Sequence, residues 1–175
     1  MFIFAVLICS FNLSAQNKED GKGFPVPAGN PNQLFYLQRN ENTNTVIYEL
    51  NEANEMLNAQ NPVHAFWIMY TKNEQHEELS EMEQKFAYGI KIKTATREEC
   101  QFTLVAYPKI ILQLKKDAMQ KYQVYISPNK EEMLLHRVFI KVKEGGFSLK
   151  PTVEYVEFTG KDPINGKEIT ERIIP

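Results

Sequence analysis

The chain of 175 residues is long enough for one domain with a hydrophobic core and too short for two comfortable ones. Its composition, 43% hydrophobic and 24% charged, lies in the globular range and excludes wholesale disorder and a multi-span membrane protein. Twenty basic residues stand against 22 acidic ones, the formal net charge is -2, and the basic residues are scattered. Nucleic acid is therefore not expected as a partner, because binding phosphates requires a concentrated basic surface.

The first fifteen residues form an uncharged, apolar run that differs from everything after it. The run is shorter than the roughly 20 residues that a helix needs to span a bilayer. It has the length of the hydrophobic region of a secretory signal peptide, and Ala15 stands at a position suited to cleavage. We therefore expect residues 1–15 to be a signal peptide. The mature chain is expected to be exported, without a transmembrane span, and to be periplasmic, on the cell surface or secreted.

Two details qualify the predicted signal peptide. No Lys or Arg precedes the apolar run, which leaves open a start further upstream, and the alternative is a buried N-terminal strand or helix. Cys9 is not expected to carry a lipid, because Ile8 stands before it where a small residue is required.

Residues 16–33 are polar and carry three glycines and three prolines, which block helix and strand pairing and predict a linker. The rest, residues 34–175, is predicted to be a single β-rich domain, because apolar and polar residues alternate there with the period of half-buried strands. The predicted strands, in chain order, are 34–38, 45–50, 63–70, 88–93, 101–106, 110–115, 122–126, 134–142 and 153–158, with a closing strand at 169–174.

One segment departs from this alternation. Between Glu74 and Phe86, the apolar residues Leu79, Met82 and Phe86 recur with helical spacing, which predicts a short amphipathic helix whose apolar stripe docks on a sheet. About nine strands and one helix predict an all-β, mainly antiparallel fold, either a sandwich or a barrel. Alternation does not separate the two, because the strands of both have one inward face.

The chain lacks the sequence motifs of the common catalytic and cofactor sites, such as Gly-x-Ser-x-Gly, a phosphate-binding glycine loop or His-Glu-x-x-His. We therefore assign no catalytic residue, metal ligand or cofactor. Cys100 begins an apolar alternation, which predicts a buried thiol rather than a reactive one. His136 shares its alternation with Leu134 and Val138 and is predicted to lie in the core. His64 could act as a base if the fold supplies a partner.

A polar turn is the first candidate for a ligand site. Arg39, Asn40 and Asn44, followed by Tyr48 on the next strand, could form a hydrogen-bonding rim for a sugar, a peptide or a carboxylate. The alternative is a solvated hairpin turn, since turns select asparagine for backbone reasons alone.

Polar-tipped side chains on the following strands are the second candidate. Trp67 and Tyr88 are aromatic residues of the kind that line ligand pockets, and His64 lies on the same predicted strand as Trp67. The alternative is that both aromatic residues belong to the core and that their polar atoms bond the backbone.

Several short motifs, taken together, resemble a known family. They are Phe35-Tyr36-Leu37-Gln38-Arg39-Asn40, Asn44-Thr45-Val46-Ile47-Tyr48-Glu49, Pro62-Val63 with Trp67-Ile68, Ala87-Tyr88-Gly89, and the C-terminal Gly160, Gly166-Lys167 and Glu171. This set is similar to the uncharacterised exported bacterial family called domain of unknown function 4833, and the resemblance covers roughly residues 34–175. The family has no assigned activity, so the resemblance implies export and a compact domain, and it implies no mechanism.

These observations favour a non-catalytic module that binds an unknown small ligand or an envelope protein, because export and a β-rich fold come without a catalytic motif. One alternative is a hydrolase that uses carboxylates and His64, whose arrangement in space a sequence does not show. Another alternative is a structural component of the cell envelope, which an exposed apolar patch without a pocket would indicate.

Overall fold

The computed structural model describes residues 23–40, 42–143 and 152–175. The predicted signal peptide, Cys9 and the beginning of the predicted linker lie outside the described residues.

Strands make up most of the described chain. They are β1 (Gln33–Arg39), β2 (Asn42–Leu50), β3 (Glu52–Ala53), β4 (Met56–Leu57), β5 (Val63–Met69), β6 (Gln75–Glu78), β7 (Ile90–Ala95), β8 (Cys100–Leu104), β9 (Leu112–Lys116), β10 (Tyr122–Ile126), β11 (Met133–Val142), β12 (Val153–Lys161) and β13 (Glu168–Ile173). Helical structure there is limited to a 3-10 turn (Tyr70–Lys72) and to helix α1 (Glu81–Glu83), which continues as a π-helical turn (Gln84–Tyr88). The predicted all-β fold with one short helix is confirmed.

The main sheet is a curled half-barrel. Nine strands follow the order β6-β5-β2-β1-β11-β10-β9-β8-β7, while β12 pairs with β11 and β13 pairs with β12. The described strands pair antiparallel, except that β1 runs parallel to β11. The start of β11 pairs with β10 and its later part pairs with β1. This branch lets the two halves of the sheet diverge and curl over a shared core.

The predicted alternation fills the inside of the half-barrel with apolar side chains. Phe35 and Tyr48 stack in parallel with ring centroids 4.4 Å apart, and such a pair contributes about 0.5–1.5 kcal/mol beyond the burial of its area. Phe102 and Leu114 from the opposite wall are fully buried in the same core. Cys100 lies among them with 1% of its surface exposed, which confirms the prediction of a buried thiol. Burial raises the pKa of this thiol to about 11.

Strand β11 contains a bulge that reverses its alternation. The register with β12 shifts next to His136, and the core positions change from Met133 and Leu135 to Val138 and the residues that alternate after it. His136 lies at the bulge and is half-buried. The prediction that His136 shares one apolar face with Leu134 and Val138 is wrong, because the extra residue of a bulge moves every later side chain to the other face.

The short helix is present, but its predicted apolar stripe is wrong. Residues 75–78 form β6 instead of a helix, and α1 begins only after Ser80, which caps it reciprocally with Glu83. Met82 and Phe86 are 68% and 61% exposed. The helix widens into a π turn after one turn, so residues spaced for an α-helix no longer share a face.

The described part of the predicted linker packs against the outer face of the sheet. Phe24 meets Phe139 edge-on with centroids 5.2 Å apart, and the Gln38 amide donates to the Pro25 carbonyl at 2.7 Å. Pro27 is buried. This covering buries polar as well as apolar side chains of β1, β2 and β11, because Gln38, Thr45 and Arg137 are all buried.

Candidate functional site

The half-barrel is open between strands β5 and β7. Strand β5 pairs with β6 only from Phe66 to Met69, so the edge from Val63 to Ala65 has no partner strand within the described chain. Strand β7 pairs with β8 and with no other described strand. A cleft of about 510 Å³ lies between these two edges. We call it the seam cleft.

The seam cleft combines amide, charged and apolar side chains. Its amide groups come from Gln60, Asn61 and Gln84, and its charged groups include Glu81 and Lys85. Val63, Leu79, Ile90 and Ile92 supply its apolar surface. A mixture of apolar surface with a few polar groups in a concave space of this size is typical of ligand sites.

The π turn forms one wall of the seam cleft and depends on Gly89. A Cβ atom on Gly89 would lie 2.7 Å from the carbonyl carbon of Gln84 and still closer to its oxygen. The Gly89 carbonyl accepts the Val105 amide at 2.9 Å, and the Gln84 side chain donates to the Leu79 carbonyl at 2.9 Å. Only a glycine lets the backbone turn this closely from the helix into β7.

His64 lies at the cleft between two carboxylates. Its Nδ1 is 3.2 Å from Glu49 Oε1 and its Nε2 is 2.9 Å from Glu78 Oε2. Asn30 donates to the other oxygen of Glu49 at 2.6 Å, which orients that carboxylate. Burial acts to lower the pKa of His64, but the hydrogen bonds and charges of Glu78 and Glu49 together outweigh it and raise the pKa above its usual value.

This arrangement favours an imidazolium that donates from both ring nitrogens. A general base needs a free ring nitrogen within reach of the proton it removes, and here a carboxylate lies beside each one. Ser80 does not supply a nucleophile paired with His64, because its hydroxyl donates to Glu83 Oε2 at 2.7 Å. The three charged side chains therefore act as a link between β2, β5 and β6.

A second cluster surrounds Tyr88 on the inner side of the π turn. The rings of Trp67 and Tyr88 meet edge-on at 4.7 Å, and Trp67 Nε1 donates to Glu83 Oε1 at 3.1 Å. The Tyr48 hydroxyl donates to the Tyr88 carbonyl at 2.6 Å. Burial raises the pKa of Tyr88, the charge of Arg39 opposes that rise and the charge of Glu83 adds to it.

The sequence family matches nearly the whole domain. The family described as Domain of unknown function (DUF4833) matches residues 35–172. The chain belongs to this family. No curated protein and no solved structure matches it.

The DUF4833 fold brings together three of the seven predicted ligand residues. Tyr48, Trp67 and Tyr88 meet around the π turn, where Tyr48 is fully buried and both Trp67 and Tyr88 are 8% exposed. Arg39 lies at the end of β1, paired with Asn42 and Ile140. His64 stands apart from them and lines the seam cleft. The polar atoms of Tyr48 and Trp67 bond protein groups, as expected for aromatic residues of a core.

The two predicted asparagines hold backbone together. The Asn40 amide donates to the Val142 carbonyl at 2.8 Å, and its oxygen accepts the Val142 amide at 2.5 Å, which joins the β1–β2 hairpin to β11. Asn44 accepts from the backbone amide and the hydroxyl of Thr71 at 3.3 and 3.2 Å. Both asparagines therefore link segments that are distant in the chain, by 102 and 27 residues.

Most of the seam cleft is not signalled in the sequence. Gln60, Asn61 and Lys85 stand in segments with no motif, and the strand predicted from residue 88 begins only at Ile90. Two residues are signalled: His64, which the sequence marks as a site candidate, and Gly89, since an isolated glycine inside an alternating strand pattern marks a close approach of backbone.

Neither a metal-binding cluster nor a membrane-spanning helix occurs among the described residues. In 23–40, 42–143 and 152–175, no group of three or more His, Cys, Asp and Glu side chains could hold a metal ion. No helix within those ranges has the length and apolar character needed to cross a bilayer.

Proposed function

We propose that this DUF4833 domain is a non-catalytic binding module whose ligand occupies the seam cleft. The observation that carries the proposal is the cleft itself, a concave space of about 510 Å³ between two strand edges without a partner strand in the described chain. Ligand pockets of proteins are usually about 300–1,000 Å³, with apolar walls and a few convergent polar groups.

Unpaired strand edges give the cleft its capacity to bind. Backbone N–H and C=O groups on a strand edge form hydrogen bonds with any ligand that presents complementary groups. Ile92, with 36% of its surface exposed, adds apolar area that a ligand would remove from water. The occupied ring nitrogens of His64 support a binding role over catalysis at this site.

The test covers three classes of ligand. The 15N-labelled domain is mixed in turn with short peptides, with simple sugars and with small carboxylates, and amide chemical shifts are recorded. At least one class is expected to shift the amides of 63–65 and 90–95. Substituting Ile92→Trp should fill the cleft and suppress these shifts, while Ile111→Trp, which changes an isoleucine that is 48% exposed outside the cleft, should leave them intact. Absence of cleft shifts with all three classes would refute the proposal, as would unchanged binding by the Ile92 variant.

A hydrolase is the second candidate, and the contact between Glu49 and His64 Nδ1 favours it. A carboxylate at Nδ1, itself held by Asn30, orients a histidine as catalytic carboxylates do. Catalysis would require Glu78, whose side chain is 71% exposed, to leave Nε2. Under this alternative, the domain hydrolyses 4-nitrophenyl acetate faster than buffer, His64→Gln abolishes the excess rate and the control His76→Gln retains it. No excess rate in the wild-type domain excludes this hydrolase.

We further propose that the chain is exported, so that its ligand or partner protein is met in the periplasm, at the cell surface or outside the cell. The support is the uncharged apolar run of residues 1–15. Expression of the full chain in a Gram-negative bacterium should yield a periplasmic product whose N-terminal sequence begins at Gln16. Recovery of the uncleaved chain from the cytoplasm would contradict this proposal.

A further inference from the structure

We propose that the seam cleft receives an extended, acidic polypeptide segment, which adds to β7 as a further strand. This inference rests on the proposed function, since it names the class of ligand for the same cleft. It follows from three features of β7 and its surroundings: an open backbone edge, alternating side chains and a group of basic residues on and beside the strand.

The first feature is the pair of facing strand edges. The six residues of β7 span about 20 Å as an extended chain, and the free part of β5 faces them across the cleft. An extended peptide presents N–H and C=O groups along both of its sides, so it can pair with β7 and approach β5 at the same time. A sugar or a small carboxylate does not match a row of backbone groups at this spacing.

The second feature is the alternation of side chains over residues 90–92 of β7, before the register with β8 shifts between Ile92 and Thr94. Ile90 and Ile92 pair with the buried residues Leu104 and Phe102, so they stand on the inner face and line the cleft. Lys91 pairs with Thr103 and points to the other face. A strand added beside β7 would therefore place alternate side chains against the two isoleucines and the others beside Lys91.

The third feature is charge. Residues 84–97 contain four basic residues, Lys85, Lys91, Lys93 and Arg97, and no acidic one. Lys91 and Lys93 are exposed, and neither forms an ion pair within the described residues. Opposite charges placed across neighbouring strands stabilise their pairing, and like charges destabilise it.

The same lysines argue against a second copy of this chain as the occupant. Two copies that paired through β7 would bring lysine against lysine, and lysine on an edge strand is a common protection against such pairing. The cleft itself also holds acidic groups, because Glu81 lines it and Glu49 and Glu78 bind His64 on its β5 side. Acidic side chains of the incoming segment are therefore expected on the Lys91 face only.

The test uses designed peptides as probes. An eight-residue peptide of alternating Glu and Val, blocked at both ends and carrying a fluorophore, is titrated with the folded domain and its anisotropy is measured. The matched peptide replaces every Glu by Lys. Two further versions of the acidic peptide carry N-methyl groups on alternate amides, one version on each set, which removes the hydrogen-bond donors on one side of the strand.

The acidic peptide is expected to bind at least about tenfold more tightly than the basic one. The double variant Lys91→Glu with Lys93→Glu should reverse this preference, while Lys121→Glu with Lys130→Glu, which changes the net charge equally outside the cleft, should preserve it. At least one of the two methylated peptides should lose about tenfold in affinity, because the ladder to β7 depends on its amides.

Equal binding of acidic and basic peptides would overturn the inference, as would parent-like binding of both methylated peptides. Self-association of the domain through β7, seen by analytical ultracentrifugation and broken by Ile92→Trp, would also overturn it in favour of a second copy. If sugars or small carboxylates shift the cleft amides and peptides do not, the binding module stands and the peptide inference falls. If no probe shifts them, both fall.

Discussion

Replacing Gly89 by alanine should disturb the seam cleft and the whole domain together. The new Cβ would overlap three backbone atoms of Gln84, all within 3.1 Å, and the nearest of them is the carbonyl oxygen. Backbone cannot rotate away as a side chain can, so either the π turn or the start of β7 must move. The turn carries Tyr88, whose ring contacts Trp67 at 4.7 Å, and the displacement should therefore reach the core.

The size of the effect follows from the cost of overpacking. Forcing an extra carbon into a filled site costs about 1–3 kcal/mol of the free energy of unfolding. For a domain of this length, each kcal/mol lowers Tm by about 2–4 °C, so a mid-range cost lowers Tm by about 4–8 °C. Differential scanning calorimetry measures this change. Trp67 is the only tryptophan in the chain, so its emission spectrum reports separately whether the π turn has moved.

Gly160 provides a matched control. A Cβ there would lie 3.0 Å from the carbonyl carbon of Leu134 and 3.2 Å from Met133 Sδ, in the β11–β12 pairing away from the cleft. Gly160→Ala should lower Tm by a similar amount and leave the Trp67 emission unchanged. An unchanged Tm in Gly89→Ala would refute the reasoning. A Trp67 spectrum altered equally by both substitutions would show that the effect does not pass through the π turn.

Three further predictions concern single groups. Tyr48→Phe removes a buried hydroxyl that donates to the Tyr88 carbonyl, and it should lower the free energy of unfolding by about 1–2 kcal/mol in denaturant titrations. Glu78 and Glu49 raise the pKa of His64, so their contacts with the imidazolium stabilise the folded domain fully below the pKa of the unfolded chain, about 6.5. This stabilisation is lost as the pH rises through the higher pKa that His64 has in the folded domain. His64→Gln should therefore reduce urea stability at pH 6 more than at pH 8.5, and equal losses would contradict this linkage. Cys100, buried and with its pKa raised to about 11, should react with a thiol reagent only when the domain unfolds, and rapid labelling of the native domain would disprove its burial.

The strands could be predicted because each depends mainly on its own alternation. The predicted range 122–126 coincides with β10, and the predicted 63–70 differs from β5 by one residue. The three short strands β3, β4 and β6 are not predicted, since two to four residues carry too little pattern. The parallel pairing of β1 with β11 also has no local signature, because it joins segments about 100 residues apart.

The predicted ligand residues show why local pattern is a weaker guide to a site. Asn40 and Asn44 have the polarity of a binding rim, but that polarity is used by backbone groups of β11 and by Thr71. The sequence marks His64 as a potential base but does not indicate its partners. Its two carboxylates come from β2 and β6, and only the pairing of three strands brings them to both ring nitrogens.

The order of residues along the chain was enough to specify an all-β, mainly antiparallel domain, a buried Cys100 and the hairpin that joins β1 to β2. These features follow from the period of two and from turn chemistry, which act between near neighbours. The open seam between β5 and β7 arises instead from the whole sheet, because the branch at β11 and the curl that follows set where the two last edges stop. The cleft lies between strands that are about 25 residues apart in the chain, so no short stretch of the sequence indicates it.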